Sequence, residues 1–186
     1  MRRRLVPLAA ALAGAALVGL LVYGLTTQGS SRALDQAVQA GRWPSAPDEL
    51  RALPVLDLAR GRGASLSSWR GKVLIVNFWA SWCDTCVAEA HQIEQAERTL
   101  AASGSGTVIG IDYKDTPGYA RRYIAHYGLT YPNLRDIDGS FADAYGTVAL
   151  PETFVLDRRL RVVAIQREAI TDESWLTAAI AKAERE

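Results

Sequence analysis

The sequence predicts an α/β domain, a central mixed β-sheet with helices on both faces, preceded by one N-terminal transmembrane helix. Three observations lead there. Strand-like and helix-like segments alternate in the order β-α-β-α-β-β-α. One strand candidate, Val73 to Ala80, is almost wholly apolar, as a central strand covered on both faces must be. Leu5 to Leu25 carries no charge and would span about 32 Å as a helix, enough for a bilayer core.

The apolar run follows Arg2, Arg3 and Arg4. The positive-inside rule puts those arginines in the cytoplasm and everything after Thr26 outside. Ala13-Gly14-Ala15 has the small residues of a cleavage site, but the apolar run continues well past it. A retained anchor is therefore expected, and the lack of a Cys at its end excludes lipoprotein attachment. The predicted organisation is a basic end over 1–4, an anchor over 5–25, a tether over 26–53 and a domain over 54–186. In the tether, Ser31 caps a short helix bearing Leu34 and Val38, Gly41 stops it, and Pro44, Pro47 and Pro54 favour extended chain.

Within the domain, Val55 to Leu58 and Ser65 to Leu66 flank Gly61 and Gly63 as a short hairpin. After the Val73–Ala80 strand, a helix is expected from Cys83 to about Ala102, ended by Gly104 and Gly106. Val108 to Ile111 is the next strand, and Tyr119 to Tyr127 a helix that Gly128 terminates. Thr153 to Leu156 and Leu160 to Ala164 are strands turning over Asp157-Arg158-Arg159. Thr171 caps the last helix, which turns Trp175, Leu176, Ala179 and Ile180 to the core. Repeats and low-complexity segments are absent.

The formal net charge of +1 becomes −2 once the three N-terminal arginines are set aside. No basic stripe with interleaved aromatics exists, so nucleic-acid binding is excluded. Cys83 and Cys86 are the only cysteines of the 186 residues. The fold must therefore be held by its core rather than by disulfide staples.

An apolar strand running directly into Trp82-Cys83-Asp84-Thr85-Cys86 reads as a redox dithiol opening a helix. Two cysteines at this spacing lie within one turn. Cys83 sits at the helix entrance, where unpaired backbone N–H groups and the positive dipole end favour a thiolate. The thiolate is the attacking species in thiol–disulfide exchange, so Cys83 is the candidate nucleophile and Cys86 the resolving thiol. A purely structural bridge would close too short a loop to stabilise much. Zinc would need two more ligands, and His91 and His126 are poorly spaced for that. Covalent haem needs C-x-x-C-H, but Val87 follows Cys86. No cofactor and no resident metal are expected, because the cysteines carry the electrons.

The element order, with W-C-x-x-C after the first long strand and a proline before the penultimate strand, resembles the thioredoxin fold. Ala88-Glu89, Asp112-Tyr113-Lys114-Asp115 and Leu150-Pro151-Glu152-Thr153-Phe154 narrow the resemblance to the CcmG/DsbE family. These are membrane-tethered thiol–disulfide proteins of cytochrome c biogenesis. The match runs from about Leu53 to the C-terminus, and the N-terminal anchor agrees with it.

The resemblance implies a cis bond at Pro151 that turns the backbone of Leu150 toward the cysteines, where a substrate segment adds as a strand. It implies that Glu89 is an acid near Cys86 that raises thiol pKa and passes protons. Asn77 stands where thioredoxin has a buried acid; being neutral, it leaves that task to Glu89. Glu152 is expected on the rim of the site, shaping partner choice, and Trp82 as its cover. Where family members commonly have proline, this chain has Asp84. A carboxylate beside Cys83 disfavours its thiolate and so points to a reducing dithiol.

The implied function is that of a specific reductant at the bacterial inner membrane, single-pass, with its catalytic domain in the periplasm. Its substrate would be the C-x-x-C-H disulfide of apocytochrome c or a thiol carrier serving it. A membrane thiol reductant would supply electrons. Two other readings stay open. A general thiol reductase or an oxidant would show itself by a reduction potential well above about −270 mV, that of thioredoxin. A copper-binding chaperone module would use Cys83, Cys86 and His91.

Overall fold

β1 (Val73–Trp79) is buried along its whole length, and the other elements are placed around it. The computed structural model of the protein describes residues 14–20, 29–56 and 63–186. β2 (Gly106–Tyr113) runs parallel to β1, and β3 (Asn133–Asp136) parallel to β2. On the other side β4 (Glu152–Leu156) is antiparallel to β1, and β5 (Val162–Gln166) antiparallel to β4. The strand order β3-β2-β1-β4-β5 is thus a mixed sheet, as expected.

The helices are α1 (Gly29–Gln39), α2 (Asp84–Val87), α3 (Ala90–Ser103), α4 (Pro117–Tyr127), α5 (Ser140–Ala144) and α6 (Glu173–Arg185). Successive strand residues point to opposite faces, so Phe78 and Trp79 seed two separate cores. Trp79 lies in the core that holds Cys83, Cys86, Ile93, Tyr123 and Leu176, and its ring stacks on Tyr123 at 4.7 Å. Phe78 lies in the other, with Phe141, Tyr145 and Phe154 at 6.1, 5.3 and 5.6 Å. Cys83 and Cys86 belong to the Trp79 face.

Several expectations change. The long helix expected from Cys83 is interrupted at Ala88–Glu89, where Ala88 N and Glu89 N bond three residues back, to Thr85 O and Cys86 O. β3 and α5 were not foreseen; four and five residues give too short a pattern to read. The last helix is capped by Asp172, which accepts from Ser174 N, rather than by Thr171. The hairpin is reduced to one bridge, Leu53 with Ala64, and residues 57–62 lie outside the described residues.

The extended tether is corrected most. Its predicted helix exists as α1, with Leu34 and Val38 packed on the Phe78 core. Ser45 bridges Arg161, Ala46 and Leu53 are buried, and the Lys182 ammonium sits over the Trp43 ring at 4.1 Å. Prolines 44 and 54 lie in chain without regular structure, but Pro47 opens a turn over residues 47–50, and the whole segment lies on the domain because its apolar residues find cover there. Residues 14–20 are helical and the remainder of the expected anchor lies outside the described residues. Among the described residues, no helix is long and apolar enough to cross a membrane.

Candidate active site

The end of β1 delivers the chain to the site. Beyond buried Ala80, Ser81 N donates to Asp115 Oδ2 at 2.7 Å, and Cys83 N returns to Ala80 O at 3.2 Å. Cys83 adopts an extended backbone, the N-cap conformation, and its Sγ accepts from Cys86 N at 3.1 Å. Because α2 has only four residues, the aligned dipole of a long helix is not what acts on this sulfur. The Cys86 N–H is directed at it, a contact of the kind that favours a thiolate in a reduced protein. Cys83 and Cys86 are joined as a disulfide, with Cα atoms 5.4 Å apart. Cys83 is 6% exposed and Cys86 1%, so the outer sulfur is the one a partner reaches first.

Leu150 and Pro151 meet the cysteines as the resemblance implied. The Leu150–Pro151 bond is cis. Thr85 Oγ1, 3.4 Å from Cys83 Sγ, donates to Leu150 O at 3.1 Å, so the backbone before Pro151 borders the redox pair. Trp82 is 57% exposed and leans toward Tyr113, with ring centroids 6.4 Å apart. Asp84 is exposed beside Cys83.

Glu89, one turn beyond Cys86, is 1% exposed. Its carboxylate accepts from Asn77 Nδ2 at 2.6 Å and from Ile170 N at 3.0 Å. Burial drives its pKa up to about 7, although the bonds from Ile170 and Asn77 pull the other way. An ordinary solvated helix residue is thereby excluded. The inward pull of these two donors coincides with the break between α2 and α3. Asn77 also donates to Thr153 Oγ1 at 3.1 Å, which fixes its amide and leaves it no acid–base role.

Glu152 is not on the rim. It is fully buried at the start of β4 and shares the opposite sheet face with Phe154, while Thr153 between them faces Asn77. Its carboxylate accepts from Val148 N at 3.2 Å, from Ala149 N at 3.4 Å and from Arg167 Nη1. His91 and His126 are both exposed, on α3 and α4.

The contacts of four residues were not legible in the sequence. Thr85 stands inside the motif, but nothing local shows that its hydroxyl reaches Leu150. Asp112 is 1% exposed and its pKa is raised to about 7 by burial and by the nearby Asp115 charge, against the pull of Arg135 at 3.5 Å. Asp115 holds Ser81 N. Arg167 reaches Glu152 from beyond β5, a pairing without local signal.

Comparison with known proteins places this geometry. The Redoxin family profile matches residues 45–181. The thiol:disulfide interchange protein DsbE of Pasteurella multocida is 40% identical over 89 residues, 47% of this chain and 46% of that protein. The thiol-disulfide oxidoreductase ResA of Bacillus subtilis is 25% identical over 118 residues, 63% of this chain and 65% of that one. The chain thus spans from about half to two thirds of these relatives' length. A secreted thiol-disulfide isomerase from Corynebacterium glutamicum superposes with a TM-score of 0.65 and 28% identity, covering 76% of this chain and 85% of that one. The family profile spans both the bonded Cys83–Cys86 pair and Pro151. The chain therefore belongs to the Redoxin family, and its folded domain is similar to thiol–disulfide oxidoreductases.

Proposed function

We propose that this protein is a membrane-anchored reductant serving the maturation of c-type cytochromes. The observation that carries the reading is the state of Cys83: outermost of the pair, holding an N–H bond to its sulfur, and bordered by the Leu150 backbone through Thr85. In the reduced protein the Cys83 thiolate attacks one sulfur of a partner disulfide. A Cys83–partner bond forms, the partner's own S–S bond breaks, and its second sulfur leaves as a thiolate that takes a proton. Cys86, as thiolate, then attacks Cys83, freeing the partner sulfur bonded to it as a thiolate that takes a proton and leaving the Cys83–Cys86 disulfide seen here. Two electrons have passed to the partner. Glu89, titrating near neutral pH, is suited to take the Cys86 proton at that moment.

The substrate edge is the Val148–Pro151 segment, where an extended chain pairs with the Leu150 backbone and Trp82 covers the contact. The Asp84 carboxylate beside Cys83 disfavours the thiolate, and so favours a protein that gives electrons away. The proposed partner is the C-x-x-C-H disulfide of apocytochrome c or a thiol carrier serving it, as the resemblance to the CcmG/DsbE family implies. Electrons return from a membrane thiol reductant. The uncharged Leu5–Leu25 run behind Arg2–Arg4 supports an anchor in the bacterial inner membrane with the domain in the periplasm.

Replacing Cys86 by Ala removes the resolving thiol and should trap the natural partner on Cys83. Mass spectrometry of the trapped species is expected to show apocytochrome c or its thiol carrier. A broad mixture of unrelated secreted proteins would instead mark a general reductase and refute the specific role.

A further inference from the structure

Arg167 lies just past β5, and each of its nitrogens is engaged. Nη1 donates to the buried Glu152 carboxylate and to Gly146 O at 3.2 Å. Nη2 and Nε donate to Asp35 of α1, at 2.8 and 3.4 Å. Its guanidinium also covers the Phe154 ring at 5.0 Å. Burial works to lower its pKa, but the carboxylates of Asp35 and Glu152 outweigh that and hold it above the ordinary value.

What Glu152 does with its other oxygen is the telling feature. Oε1 accepts from Val148 N and Ala149 N, two peptide groups that precede Pro151 in sequence. Those groups belong to a short exposed segment; Val148 is 77% exposed, and Leu150 O receives the Thr85 hydroxyl beside Cys83. A buried carboxylate deprived of its cation is costly and turns toward other partners, releasing the donors it held. A continuous series of contacts therefore runs from α1 through Arg167 and Glu152 to the backbone next to the redox sulfur.

We propose that Arg167 is a positioning residue that, through Glu152, sets the Val148–Leu150 segment for docking of a protein substrate, and through Asp35 makes that setting depend on α1. This inference rests on the reading of Val148–Pro151 as the substrate edge. A buried ion pair adds little net stability compared with apolar packing, so its use here is geometric. Arg167 fixes where two N–H groups point. It does not touch the reacting sulfurs.

The test uses the full chain, insulin as the protein disulfide and dithiothreitol as electron donor. Arg167→Gln is expected to raise KM for insulin about tenfold, the worth of one charge-assisted hydrogen bond, with kcat changed less than about twofold. The equilibrium constant of the cysteine pair with glutathione should also move less than about twofold, since the sulfurs keep their surroundings. Asp35→Asn should raise KM in the same direction, by about threefold, and decides the matter if Arg167→Gln does not fold. Val148→Asp tests the edge itself. If Val148→Asp raises KM while Arg167→Gln and Asp35→Asn leave it at the wild-type value, the relay is wrong and the edge stands. If none of the three changes KM, both are wrong. A fall in kcat at unchanged KM would likewise overturn the positioning role.

Discussion

Glu89 shows how one buried side chain links folding to chemistry. Its pKa is about 7 in the folded protein against 4.5 ordinarily, because burial penalises the charged form. Between those pH values the folded protein holds a proton that the unfolded chain has released. The contribution of Glu89 to stability is therefore greatest below pH 4.5, falls as pH rises toward 7, and is level above it. The whole fall is about 3 kcal/mol, and Asp112, raised to about 7 from 3.8, adds to it with the same sign. Urea unfolding of the oxidised protein at pH 5 and pH 8 measures this. Glu89→Gln should remove a large part of the decrease; an unchanged decrease would show that Glu89 does not hold the proton. At this scale the cysteines, Pro151 and Glu89 were legible, since each lies in a contiguous motif. Glu152 was misplaced and Arg167 missed for one reason: their separation of fifteen positions in sequence hides a contact made only when β4 and β5 pair.

At the scale of elements, strand β1 was readable from its apolar run alone, because both its faces are covered. The break between α2 and α3 was not. No glycine or proline marks it, and it falls where Glu89 bonds inward to Asn77 and Ile170. The β1–β2–β3 contact makes a sharper demand. A Cβ on Gly110 would lie 2.0 Å from Asn133 Oδ1 and 2.8 Å from Trp79 Nε1, the two atoms that bond each other at 3.0 Å. Gly110→Ala must push that pair apart beneath the site, at a cost of about 2 kcal/mol and a fall in Tm of about 4–8 °C. A calorimetric melt with unchanged Tm would mean that the strands give way without strain.

Across the whole molecule, the sheet separates two tasks. The face holding Trp79 and Tyr123 carries the disulfide, and Glu89 bonds there to Asn77 of β1. The face holding Phe78, Phe141 and Tyr145 carries Glu152 and receives α1. The two meet at the Val148–Pro151 segment, where Glu152 bonds from one side and Thr85 from the other. The fold class was legible because alternation of strand and helix survives even when short elements are overlooked. The packing of residues 33–56 was not, because single buried residues such as Ala46 and Leu53 give no periodic signal among prolines.

The central claim is that Cys83 is poised and reachable while Cys86 is held back. Timed alkylation of the freshly reduced protein with iodoacetamide, resolved by mass at each cysteine, tests it most directly. Cys83 should be labelled at least about tenfold faster than Cys86, and faster than the same cysteine in the urea-unfolded chain. Equal, slow labelling of both thiols, indistinguishable from the unfolded chain, would contradict the account.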